Sequence, residues 1–318
     1  MLKKYLKYSS IISIGLLLGR LTGYLREIII ASQFNISQMA DYVILALTLP
    51  DLVNSLLSIS TISMVAIPIM FENKNSIKFI LIDITKKILL LATLFYFITC
   101  FILFFIYDFS FWIILVISFI SILPNALTAT AILFLHYQNR FSYASLGSLL
   151  FNLIIICFLF SKNLTIIALG VIFASICRFF FMMIDVYRSP LKISDQIHPN
   201  PQKISFKLLV FSIISNGLMF INPTINKLLA SMLAPGSTSI LTYAEKIYLL
   251  PVSVWLTTFA IASFPDMSRI VAEKKWAQFN RLFNKSILLN LILSFGTLLI
   301  FIIFGKQLIT FLFGIVNI

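Results

Sequence analysis

Charge is the scarcest property of this sequence. Charged side chains make up 11% of its 318 residues, where a soluble domain carries about a quarter. With 60% hydrophobic residues and a mean hydropathy of +1.03, the chain cannot cover a globule with polar groups, which excludes an ordinary soluble enzyme. Cysteine is nearly absent too. Cys100, Cys157 and Cys177 stand singly in apolar runs, with no CxxC pair and no histidine at ligand spacing, so they read as packing residues and imply no metal site. The two histidines, His136 and His198, have no visible serine, cysteine or metal-ligand companion. No glycine-rich phosphate loop occurs, which argues against an ATP-driven pump. The acidic residues are few and scattered, without an adjacent pair suited to glycosyl transfer or hydrolysis. Strictly alternating segments of about ten residues, the mark of a membrane barrel, are also missing.

What the chain does have is apolar length. A membrane-spanning helix needs about 20 mostly apolar residues. Roughly nine such runs occur, near 8–31, 41–70, 88–107, 111–135, 141–160, 164–184, 206–233, 240–264 and 287–313. The fold class is therefore all-α, a polytopic membrane helical bundle. The formal charge of +13 does not point to nucleic acid, because the basic residues sit in short connections between apolar runs. Lys3, Lys4 and Lys7 precede the first run; Lys74, Lys78, Lys86 and Lys87 follow the second, and Arg140 the fourth. Arg188, Lys192, Lys203 and Lys207 follow the sixth, and Arg269, Lys274, Lys275, Arg281 and Lys285 the eighth. The alternate connections carry chiefly Lys162 and Lys306. Short basic loops stay cytoplasmic, so the pattern places the amino terminus inside. The first run has a charged start but no small-residue cleavage site, and reads as a retained span.

Organisation follows from polarity. Residues 1–185 read as a first six-helix lobe, 186–204 as a proline-containing cytoplasmic linker, and 205–318 as a partial second lobe of about three helices. The segment 266–285, with Ile270, Trp276, Phe279 and Phe283 among basic residues, suits an amphipathic helix at the cytoplasmic interface. A weak echo links the lobes: Ala31-Ser32, Leu49-Pro50 and Pro68 in the first, Ala230-Ser231, Leu250-Pro251 and Pro265 in the second. Pro50 and Pro251 each fall inside a span, where a missing amide lets a helix kink, and paired broken helices are a transporter feature.

The costly residues lie between Gly15 and Met70. Gly15, Gly19 and Gly23 form a small-residue ladder that lets another backbone approach closely or lets the helix bend. Arg20, Arg26, Glu27, Asp41 and Asp51 are set within or beside the apolar runs, where each costs roughly 2.5–3.5 kcal/mol at mid-membrane unless it faces a partner or a wet cavity. Helical spacing brings Arg26 near the Gly19 face and Glu27 near Arg20, so both cations are expected to point into one interior with Glu27 holding one of them. Two readings stand: structural salt bridges to Asp41 or Asp51, or an anion site to which Lys227 and Lys246, beside Glu245, add charge. Arginine forks match phosphate oxygens, and a lipid diphosphate is the anion most naturally offered to a membrane cavity, with chloride as a smaller occupant. Asp51 is either a counter-ion or a sodium or proton site coupled to a gradient. Arg178 is expected to snorkel to the cytoplasmic interface.

These residues carry a family resemblance. GRLTGYLREIIIASQF, with the following MADYVILALTLPDL, resembles the opening of the MurJ/MviN lipid II flippases, and NKLLASMLAPGSTSILTYAEKIYLLP resembles the start of that family's second lobe. The resemblance implies a two-lobe transporter of the MATE-like exporter superfamily, here with an incomplete second lobe, in the bacterial cytoplasmic membrane. It implies no catalysis, cofactor or metal; the partners would be membrane lipids and a polyprenyl-diphosphate-linked glycan, lipid II, moved from the inner to the outer leaflet by alternating access. By the same resemblance Arg20, Arg26 and Lys246 bind the diphosphate, Glu27 and Asp41 match acidic family positions, and Pro50 and Pro251 let the lobes rock. The chain departs from the family where Asn54-Ser55 replace two arginines, Ile59-Ser60 replace Glu-Gly, and Asp51 replaces an asparagine. Those changes lower the positive charge and admit another polyprenyl-linked oligosaccharide as substrate. Members also carry further spans, so the expectation extends to a second chain supplying them, or to a non-transporting remnant.

Overall fold

The computed structural model describes residues 2–56, 65–67, 69–70, 77–138, 140, 142–189, 205–251 and 275–313. Helices account for nearly all of them, and no strand occurs among the described residues. The helices are α1 (Leu2–Phe34), α2 (Gln38–Leu56), α3 (Ile77–Phe104), α4 (Phe109–Phe119), α5 (Ile122–Tyr137), α6 (Ser142–Leu159), α7 (Leu164–Tyr187), α8 (Phe206–Ser231), α9 (Ser237–Pro251) and α10 (Trp276–Phe313). The chain divides into two compact units, residues 1–239 and 240–318.

Apolar runs become helices because a backbone in hydrocarbon must satisfy its own amides, and a helix does so within one segment. Three stretches, Ile77–Phe104, Phe109–Tyr137 and Leu164–Tyr187, are long and apolar enough to cross a membrane. Helix α3 shows the membrane pattern at residue level. Ile80, Ile84, Ile88 and Leu91 are buried against the core, while Leu90, Leu94, Phe97 and Phe101 on the opposite side are more than half exposed and apolar, as a lipid-facing stripe is. Asn163 caps α7 by accepting from the amides of Thr165 (2.9 Å) and Ile166 (3.3 Å).

Two segments differ from the sequence expectation. The expected span 111–135 falls in the single apolar stretch Phe109–Tyr137, which a turn at Ile120–Ser121 breaks into α4 and α5. Pro124 is the cause: it has no amide to offer the Ile120 carbonyl, which accepts instead from Leu123 at 3.2 Å, and proline is tolerated in the first turn of the restarted helix. The described part of the expected interfacial helix, 276–285, is continuous with the apolar run to Phe313, because no proline or glycine interrupts it before Gly296. The linker segment 190–204 and residues 252–274, with Pro265 and the end of the eighth expected span, lie outside the described residues, as does Pro68.

Within the first unit α1 packs on α6, α6 on α7, α5 and α4 on α7, and α2 on α4, α7 and α8. Glycine makes the α1–α6 approach close. A Cβ at Gly19 would sit 2.1 Å from Ser148 Oγ, and one at Gly23 would lie 3.4 Å from Asn152 Nδ2. The helix ends at the basic side are clasped together: buried Asp185 pairs with Arg140, Arg140 Nη1 donates to the Arg188 carbonyl at 3.0 Å, and Arg188 Nη1 to Tyr143 Oη at 3.0 Å.

Candidate functional site

Helices α1 and α6 hold the first arginine. Asn152 on α6 donates from Nδ2 to the Gly19 carbonyl (3.1 Å) and accepts from Arg26 Nη1 on Oδ1 (3.1 Å). Arg26 Nη2 donates to Glu27 Oε1 at 2.9 Å, and the two side chains are only 12% and 5% exposed. Arg26 Nε is buried and has no acceptor among the described residues. The guanidinium is thus fixed by one carboxylate and one amide, with one further donor unfilled among the described residues.

Asp51 on α2 acts electrostatically on Arg26 and also on Arg178 of α7. Arg178 is half-buried, with its Nε buried. Gly147 on α6 has no Cβ, and the Met182 methyl fills that place at 2.4 Å, with Arg178 Nε at 3.3 Å and Cγ at 3.6 Å. Sequence spacing within α1 could not reveal this neighbour, because it comes from a helix more than a hundred residues away.

Arg20 is exposed. Six steps of 100° place it about 120° around α1 from Arg26, so of the two cations Arg26 is the enclosed one, and Glu27 pairs with it at 2.9 Å. Gly15 lies in α1, its surroundings outside the described side chains; Pro50 lies within α2 and is buried; Pro251 is the last described residue of α9.

At the opposite depth Asp41 has a different task from the arginine counter-ion considered above. Its carboxylate is 4% exposed and accepts from the backbone amides of Gly236 (Oδ2, 2.7 Å) and Ser239 (Oδ1, 2.7 Å). It thus caps the start of α9 from another helix, filling donors that the helix cannot fill itself and meeting the positive end of its dipole. Gly236 adopts φ +93°, which brings its amide to Asp41 and which side-chain-bearing residues avoid. Lys227, near the same end of α8, is buried, and its carbonyl accepts from Thr238 Oγ1 at 3.5 Å. A cavity of about 200 Å³ opens beside Asp41, lined also by Gln38, Tyr42, Tyr107, Asp108 and Ser231. Tyr107 Oη and Ser231 Oγ are 2.6 Å apart across it, within hydrogen-bond distance. In the second unit Glu245 is buried and Lys246 half-buried on α9. No cluster of three metal-ligating side chains occurs among the described residues.

Comparison with known proteins decides what this arrangement belongs to. The model of the family described as lipid II flippase MurJ matches residues 30–317. The chain belongs to that family. The probable lipid II flippase MurJ of Rickettsia prowazekii (strain Madrid E) is 26% identical over 303 residues, covering 87% of this chain and 59% of the relative. That of Buchnera aphidicola subsp. Acyrthosiphon pisum (strain APS) is 24% identical over 339 residues, covering 95% and 64%. A solved structure titled lipid II flippase MurJ, inward closed conformation, superposes with a TM-score of 0.76 at 21% identity, covering 95% of this chain and 67% of that one. The MurJ transporter fold is thereby shown: an all-α, multi-pass membrane bundle. The chain spans about three-fifths of the length of these curated relatives.

Proposed function

We propose that the chain moves lipid II, the undecaprenyl-diphosphate-linked peptidoglycan precursor, from the inner to the outer leaflet of the bacterial cytoplasmic membrane by alternating access, with its amino terminus in the cytoplasm. The supporting observation is Arg26, an intramembrane guanidinium held by Glu27 and Asn152 with Nε unfilled. Phosphate oxygens suit that fork better than a single carboxylate does. Arg20 and Lys246 supply further positive charge for the diphosphate. Asp41 capping α9 acts as the latch of the outer gate, and Pro50 and Pro251 supply the give that rocking of the lobes requires. Transport is carried by binding and conformational change rather than by a covalent reaction. Coupling runs through a sodium ion or a proton, with chloride as a resting occupant of the anion site.

The test is to deplete the host's own flippase, express this chain alone or with the carboxy-terminal third of a full-length relative, and measure lipid II reaching the outer leaflet. Lipid II outside that disappears in the Arg26→Ala variant supports the reading. Stable, membrane-inserted protein that moves none in either arrangement overturns it.

A further inference from the structure

Tyr107 lies in the turn 105–108 between α3 and α4, at the end of the bundle where α8 gives way to α9. That turn is built as a fixed post. The amides of Ile106 and Tyr107 donate back to the Leu103 carbonyl at 3.2 and 3.1 Å, and Trp112 Nε1 on α4 donates across to the Cys100 carbonyl of α3 at 2.8 Å. The Tyr107 ring meets Phe111 edge-on with centroids 5.1 Å apart, and Phe111 stacks in turn on Tyr42 of α2 at 3.8 Å. Aromatic contact thus ties the ring to α4, and through Phe111 to α2, while its hydroxyl reaches α8.

It reaches Ser231, the last residue of α8, at 2.6 Å. The direction of this bond follows from the proton count. A serine hydroxyl has one hydrogen, and that of Ser231 goes to the Leu228 carbonyl at 2.7 Å, so Tyr107 is the donor and Ser231 Oγ the acceptor. The α8–α9 turn begins at the next residue, and Asp41 grips its far side through the amides of Gly236 and Ser239. Between the two grips lies the cavity, whose lining includes Gln38, Asp41 and Asp108 and no lysine or arginine. Among the helix pairs that pack extensively, α8 meets only α2, so these polar bonds are a large part of what fastens its end. Water in an open polar cavity can take over both sets of bonds when the turn moves away, which makes them reversible.

We infer that Tyr107 is a gating residue: its bond to Ser231 is a second fastening of the α8–α9 turn, independent of Asp41, and it must break for this end of the bundle to open. The inference rests on the alternating-access reading above and adds to it a residue from the α3–α4 turn.

Thiol labelling of the purified chain in nanodiscs tests it, with a cysteine-free background and Thr238→Cys, a fully buried position in the first turn of α9, as reporter. Tyr107→Phe keeps the ring and removes only the hydroxyl, and it raises the labelling rate about three- to tenfold, the loss of one hydrogen bond. Ser231→Ala does the same, and the two together do no more than either alone, because they remove one bond. Adding Asp41→Ala to Tyr107→Phe multiplies the rates, as separate fastenings do. Labelling unchanged by Tyr107→Phe overturns the inference, and so does full addition of the Tyr107→Phe and Ser231→Ala effects. An equal rise at Ala174→Cys, fully buried in α7, would mean general loosening and also overturn it. Arg26-dependent appearance of lipid II outside is read separately: if it is present and labelling does not respond to Tyr107→Phe, the gating role alone falls. If it is absent and labelling does respond, the fastening stands and the lipid II reading falls.

Discussion

At the scale of single residues, the arrangement depends on missing side chains as much as on charged ones. Gly19 allows Ser148 to sit against α1, and a Cβ there would stand 2.1 Å from its hydroxyl. Gly19→Ala is expected to destabilise the protein by about 1–3 kcal/mol through overpacking, with part of the loss recovered by Ser148→Ala, as read from thermal unfolding in detergent. Asn152 joins the same pair of helices to the site, since one amide group bonds both the Gly19 carbonyl and Arg26. Asn152→Ala removes both bonds and lets Arg26 turn away. Transport is expected to fall at least tenfold while Asn152→Gln, which keeps the amide on a longer stem, retains more; equal rates for wild type and Asn152→Ala would refute the positioning role. Asp185, buried and paired with Arg140, marks the inner helix ends, and Arg140→Ala is expected to lower stability by about 1–3 kcal/mol by orphaning that carboxylate, measured by the same unfolding assay.

At the scale of elements, the proposed mechanism is tested at the ends and breaks of helices. The α8–α9 turn is set by Gly236 at φ +93°, with Ile36 Cγ2 only 2.6 Å from where a Cβ would be. Asp41 reads that turn through two amides. Asp41→Ala should cost about 0.5–2 kcal/mol of capping, and Gly236→Ala a comparable amount through backbone strain. Both substitutions loosen the same latch. In a cysteine-free background, a cysteine at exposed Ala234 is therefore expected to react faster with a membrane-impermeant thiol reagent when either variant is present. An unchanged labelling rate would show that Asp41 stabilises α9 without gating access. The α4–α5 break at Ile120–Ser121 is of the same kind, since one proline divides an apolar run that composition alone presents as a single span.

At the scale of the whole molecule, the charge asymmetry of the connections predicts an orientation. Ser161 lies in a connection expected outside, and Tyr187, 90% exposed, at an end of α7 expected inside. In intact cells an impermeant thiol reagent should label Ser161→Cys and reach Tyr187→Cys only after permeabilisation. The reverse pattern would invert the topology and, with it, the assignment of Asp41 to the outer gate.

Fold class and helix existence were legible in the linear chain, as was the cost of setting Arg26, Glu27, Asp41 and Asp51 in or beside apolar runs. Apolar run length, basic loops and the cost of a charge in hydrocarbon are local or compositional properties, and they need no knowledge of neighbours. The pairing of those charges was legible only in part, in that Glu27 was expected to hold one arginine and holds Arg26. Arg26 could have met Asp41 or Asp51 as a structural counter-ion; it bonds Glu27 and an asparagine 126 residues away, while Asp41 caps a helix nearly two hundred residues on. Helical periodicity determined which residues share a face of one helix. Only tertiary packing decided which face meets which, because that depends on side-chain volumes and absent Cβ atoms on helices far apart in the chain.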